Sequence, residues 1–200
     1  HIAYVSYQSK KPKIYIYNLN TQKLSLATES KKDIMTLTPN FTKENNSLLL
    51  LSTVIEGNSE ISQYNIKTNK NKRLTNHPAT DISPDFAISQ NKIVFSSDRS
   101  GKAELYLMDQ DGNDVKRLKF AKGTYTNPKF SPDGRYIAFT RILDSKFSIG
   151  ILDTETFFTK ILTTSYKNDS PSWAPNSKYI IFTKMQRGRR SQKRNLSNLK

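Results

Sequence analysis

"NPKFSPDGRYIAFTR", residues 127–141, decides how the rest of the chain is read. Taken alone it is a hairpin: a proline, an aromatic, a turn made by "SPDG", then the aliphatic strand "YIAFT". The chain carries the same block at 38–52 ("TPNFTKENNSLLLLS"), 83–97 ("SPDFAISQNKIVFSS") and 170–184 ("SPSWAPNSKYIIFTK"). Pro39, Pro84, Pro128 and Pro171 follow one another at 45, 44 and 43 residues. Two places after each proline stands an aromatic (Phe41, Phe86, Phe130, Trp173), and nine places after it an aliphatic strand is under way at Leu48, Ile93, Ile137 and Ile180.

The other half of the unit repeats too. "KIYIYN" (13–18), "EISQYN" (60–65), "ELYLMD" (104–109) and "SIGILD" (148–153) each end in Asn or Asp, which opens a turn by bonding its own backbone. After the turn come "KLSLA" (23–27), "NKRLT" (71–75), "VKRLK" (115–119) and "TKILT" (159–163), and the opening "IAYVS" (2–6) matches "IAFTR" (137–141). Each unit of about 44 residues is thus four short antiparallel strands, a sheet that buries its faces only by stacking on its neighbours. The reading is all-β: a β-propeller of four-stranded antiparallel blades, four to five of them present. Residues 1–183 divide into a partial blade (1–37), blades at 38–82, 83–126 and 127–169, and a partial blade (170–183). The proline is expected to start the innermost strand, where its missing N–H costs no ladder bond, and the aromatic to fill the wedge between blades.

Composition bounds the function. The formal charge is +15, and 184–200 ("KMQRGRRSQKRNLSNLK") holds seven basic residues and no acid. It reads as a disordered basic tail; binding of nucleic acid or an anionic surface through it is a further reading, but no aromatics interleave to make a stacking platform. No nucleic-acid partner is therefore expected. No run is long enough to span a membrane, and without cysteine there is no disulfide or thiolate chemistry. "DQDGND" (109–114) begins like a calcium loop, but its glycine comes early and no bidentate glutamate follows, so it reads as a hairpin turn. "SSDRSG" (96–101) reads as a solvated loop in which Arg99 is free to meet a partner's acid. The two histidines, His1 and His77, have no nucleophile suggested beside them, and no G-x-S-x-G elbow appears. The chain is expected to be no enzyme and to need no metal or cofactor.

The blocks "SPDGRYIAFTR", "SSDRSGKAELYLMDQDGNDVKRL" and "SPSWAPNSKYIIFTK" resemble the repeats of the TolB propeller family, over nearly all of 1–184. The resemblance implies an incomplete six-bladed propeller, with the family's N-terminal α/β domain and the leader belonging to sequence upstream. It implies a periplasmic, non-enzymatic, monomeric scaffold of the Tol–Pal envelope system. That scaffold would bind the peptidoglycan-associated lipoprotein, and colicin-type disordered peptides, at one mouth of the channel. A propeller gating a peptidase or other hydrolase is the alternative the same repeats allow.

The segments leading into each innermost strand, "DIMTLTP" (33–39), "ATDISP" (79–84), "GTYTNP" (123–128) and "KNDSP" (167–171), ring that mouth. By position, Met35, Thr38 and Ile82 match rim positions that contact the partner in the family. Geometry adds Asp81, Thr126, Asn127, Asp169 and Ser170, with Asp81 and Asp169 facing the channel, where they are able to hold a cation. The fifth blade departs from the pattern: twelve residues after Ile93 and Ile137 come Leu105 and Ile149, but the same step from Ile180 lands on Gln192. The expected result is an open arc.

Overall fold

A computed structural model describes residues 1–8, 12–27, 35–42, 47–55, 57–163 and 167–185. All regular structure in them is β. The first sheet contains β1 (Ile2–Ser6), β2 (Lys13–Tyr17) and β3 (Leu24–Leu26), in that order. Two four-stranded blades follow. The second blade is β4 (Met35–Phe41), β5 (Leu48–Ile55), β6 (Asn58–Asn65) and β7 (Lys70–Arg73); the third is β8 (Asp81–Ala87), β9 (Lys92–Ser97), β10 (Glu104–Asp109) and β11 (Lys116–Arg117). The fourth blade is β12 (Thr124–Phe130), β13 (Tyr136–Leu143), β14 (Lys146–Asp153) and β15 (Thr159–Ile161). A hairpin of β16 (Lys167–Trp173) and β17 (Ile180–Met185) comes last, joined to the fourth blade by one parallel bridge, Phe147 to Lys167. The blades fan out around the innermost strands β4, β8, β12 and β16, each packed on the next, while β1, the counterpart of the second strand β13, packs on β4. This is the all-β propeller the repeats imply. Of the basic tail, only Lys184 and Met185 lie within the described residues.

Period-two alternation assigns each side chain of a strand to one seam or the other. Leu49 and Leu51 meet Ile14 and Ile16 of the first sheet; Leu50 meets Ile93 and Phe95 of the third blade. Val94 and Leu105 meet Phe139 and Leu152 of the fourth, where Phe120 and Tyr125 stack at 4.3 Å and Phe139 lies edge-on to both. The aromatics two places after the prolines fill the seams as expected. Phe41 and Phe86 pack against the first and second of these clusters and Phe130 is buried in the third. Trp173 donates its indole N–H to the Lys129 carbonyl at 2.9 Å.

The turn chemistry also follows the sequence. Asn65, Asp109 and Asp153 each accept two backbone N–H bonds from the turn they open, at 2.8 to 3.1 Å. The Asp109 carboxylate is therefore occupied by its own hairpin. Gly134 adopts φ +80°, and a side-chain carbon there would stand 2.1 Å from Ser89 Oγ of the neighbouring blade. The "SPDG" turn thus needs glycine for two reasons, conformation and the close approach of the next turn.

Candidate functional site

The prolines do not start the innermost strands. Each sits inside one, at a bulge: pairing slips between Leu37 and Asn40, Ile82 and Asp85, Thr126 and Lys129, and Asp169 and Ser172. Two residues there face one on the neighbouring strand, so the missing proline N–H falls where the ladder is already open. The residue before each proline is left-handed: Thr38 (φ 51°), Ser83 (55°), Asn127 (51°) and Ser170 (55°). None is glycine, and all four carry a short polar side chain; those of Thr38, Ser83 and Asn127 are hydrogen-bonded to other strands. Residues expected in loops therefore lie mostly within β4, β8, β12 and β16.

Those side chains form a polar ladder across successive seams. The Thr38 and Ser52 hydroxyls are 2.7 Å apart, and Ser52 Oγ also accepts the Ser83 N–H at 3.1 Å. Ser83 Oγ donates to Asn127 Oδ1 at 3.3 Å, and Asn127 Nδ2 donates to Asp169 Oδ1 at 2.9 Å. Asp169 Oδ1 also accepts from Thr140 Oγ1 (2.8 Å) and from the Ser170 N–H (2.7 Å). One position past the prolines lies a second tier. The buried Asp85 carboxylate accepts from Asn40 Nδ2 of the blade before, and from Lys129 Nζ (3.1 Å) and the Phe130 N–H (2.7 Å) of the blade after. Burial pushes its pKa up, against the opposing pull of Lys129 and the hydrogen bonds.

The eight residues read as rim contacts fall into two groups. Thr38 and Ser170 are exposed and Ile82 and Thr126 half-buried, while Met35 opens β4. Asn127 and Asp169 are engaged in the ladder, and Asp81 is wholly buried. Both Asp81 oxygens accept from Arg99 Nη2, at 2.9 and 2.7 Å. Arg99 is thus no solvated loop residue. Its Nε donates to Ser97 Oγ at 2.9 Å, and its guanidinium lies over the rings of Phe95 and Tyr106. The register places Asp81 opposite Ser97, one turn from Arg99, a proximity that strand pairing reveals and linear sequence does not. Among the described residues no group of three or more His, Cys, Asp or Glu is placed to hold a metal ion.

A second internal clamp escaped the sequence reading. The Glu60 carboxylate, wholly buried, accepts from Arg73 Nη2 (2.6 Å), Thr75 Oγ1 (2.6 Å), Asn58 Nδ2 (3.0 Å) and the His77 N–H (3.0 Å). It ties the segment leading into β8 to the second blade. Glu104 and Arg117 repeat the pair one blade on, at 3.2 Å. The alignment of "EISQYN…KRLT" with "ELYLMD…KRLK" carries that signal. The arrangement is a hydrogen-bonded polar frame with the short side chains of Thr38 and Ser170 exposed at one end.

The family model described as "TolB beta propeller domain" matches residues 1–197. Among curated proteins, the chain is similar to the Tol-Pal system protein TolB of Wolinella succinogenes, 25% identical over 189 residues, covering 92% of this chain and 44% of that protein. The Tol-Pal system protein TolB of Gluconobacter oxydans is 32% identical over 182 residues, with 90% and 40% covered. Among solved structures, TolB from Acinetobacter baumannii matches with a TM-score of 0.75 and 31% identity, over 89% of this chain and 44% of that one. The chain spans less than half the length of these relatives.

Proposed function

The chain belongs to the TolB β-propeller family, and we propose that it is a non-enzymatic protein-binding scaffold of the bacterial cell envelope, acting in the periplasm as part of the Tol–Pal system. The observation that carries this reading is the family match over almost the whole chain, joined to a row of four bulged strands that present short side chains from one frame. The partner is the peptidoglycan-associated lipoprotein, and colicin-type disordered peptides compete for the same mouth. Met35, Thr38, Ile82, Thr126 and Ser170 make the contact. Asp81, Asn127 and Asp169 hold it in shape, Asp81 through Arg99 and the other two through the ladder. The chain works as a monomer, and binding involves no covalent step: frame residues already ordered lose little entropy when the partner arrives.

Calorimetric titration with the soluble domain of the lipoprotein tests this. The expected result is saturable binding that Ile82→Asp or Thr126→Arg weakens by roughly tenfold or more, about 1.4 kcal/mol, with unchanged circular dichroism. A folded chain that does not bind removes the partner. Binding that both variants leave intact removes the site.

A further inference from the structure

Between the fourth blade and the terminal hairpin lies an apolar groove of about 540 Å³. Ile149, Ile151 and Leu162 make its floor; Trp173, Ile180 and Phe182 make its wall. The preceding seam explains it. There the same floor positions, Leu105, Leu107 and Leu118 of the third blade, are covered by Leu152 and Ile161 from the third and fourth strands of the next blade. Over the fourth blade, only the first two strands of the following unit are in place, and among the described residues β17 pairs with β16 alone. Among the described residues its other edge has no pairing strand and lies beside an apolar trough. That is the geometry by which an extended segment adds to a sheet.

Charge selects the occupant. The groove lining includes Lys178 and no acidic side chain. Lys184 shares the groove-facing side of β17 with Ile180 and Phe182, and Lys160 stands opposite Ile151 on the facing blade. The chain's own continuation, "RGRRSQKRNLSNLK" (187–200), brings like charge and no alternating apolar residues to such a place. In β10, the intact counterpart, Glu104 pairs with Ser97, the position equivalent to Lys184, and Tyr106 and Met108 turn toward the preceding blade.

We propose that this groove is a strand-docking site for a partner protein. The occupant is an extended segment running antiparallel to β17, with apolar residues opposite Phe182 and Ile180 and an acidic residue opposite Lys184. The groove runs toward the turn at 174–178, at the end of the blades opposite the proposed mouth, so its occupancy and that of the mouth are separate questions.

Trp173, the sole tryptophan, lines the groove and reports on it. The probe is a synthetic peptide with the sequence of residues 103–110, AELYLMDQ, added to the full chain while Trp173 emission and acrylamide quenching are followed. The expected result is a saturable shift with reduced quenching. Lys184→Glu, at an exposed position, weakens this roughly fivefold, the scale of a cross-strand charge pair, and favours a peptide carrying Lys in place of the Glu. Four outcomes overturn the proposal: no saturable change; equal binding of a scrambled peptide; affinity indifferent to the charge exchange; or a Trp173 already shielded without peptide. In the last case, shielding that grows with protein concentration identifies a second copy as the occupant, and shielding independent of it the chain's own continuation.

Discussion

Asp85 shows how one side chain can hold three blades at once. It takes hydrogen bonds from the blade before and the blade after, and being buried it resists ionisation more than an ordinary aspartate. The folded state therefore keeps the Asp85 proton to higher pH than the unfolded chain does. Between the ordinary value of 3.8 and the raised one, the folded state binds more protons, so this group's contribution to stability falls as pH rises. Asp109, Asp133 and Asp153 act with the opposite sign. Backbone hydrogen bonds hold Asp109 and Asp153 below the ordinary value, and the Ser131 hydroxyl does so for Asp133. Their contribution is lost as pH falls through the window below 3.8. Asp85→Asn keeps an oxygen for the Phe130 N–H but turns an amide NH2 toward Asn40 and Lys129, so it costs stability at every pH and also removes the Asp85 titration. In urea unfolding between about pH 3 and pH 7, the stability of the variant relative to the parent should rise with pH; a difference that stays flat would remove Asp85 as the source. The residue sits in plain view in "SPDF", yet its partners lie 44 and 45 positions away, and only the stacking of blades brings them close.

The innermost strand is the element whose reading was half right. Its proline, its aromatic and its spacing were legible because each has a local cause. The bulge was not. A residue before proline is ordinarily extended, and Thr, Ser, Asn and Ser at these four places gave no glycine to signal a positive φ. What makes the conformation tolerable at Thr38, Ser83 and Asn127 is the ladder bond each side chain makes, and that is a tertiary fact; at Ser170 it is the bond from its N–H to Asp169. Ser83→Val tests it. The branched side chain meets the left-handed backbone without a hydroxyl to bond Asn127, and the expected loss is about 2 kcal/mol. Ser83→Gly, which relieves the backbone, should lose less in the same thermal melts. Equal tolerance of both would show that the conformation carries no strain. Thr38 sustains the same φ with its hydroxyl against Ser52, an anchor that valine lacks.

At the scale of the molecule, cohesion passes from blade to blade, as in other stacked repeats. Three buried clusters fill the first three seams, and none includes a residue of β16 or β17. Ile2 and Tyr4 at one end and Ile181 and Met185 at the other are 41% to 71% exposed. Hydrogen exchange on the isolated chain should show β9, β10, β13 and β14 most protected, with β1 to β3, β16 and β17 opening first and at markedly lower free energy. Uniform protection, or a single cooperative melt at high temperature, would contradict an open arc. The repeat announced this architecture because every unit restates it; the mouth is harder to read because its residues differ from unit to unit. The ladder has one more consequence, for curvature. Its bonds join neighbouring blades close to the axis, where a change of one ångström swings the outer strands through a large angle. The apolar layers farther out are non-directional and fill whatever wedge remains. The reach of a single polar side chain, a hydroxyl at Ser83 or a longer amide at Asn127, thus sets the angular pitch from one blade to the next, as the rivet of a folding fan fixes its spread.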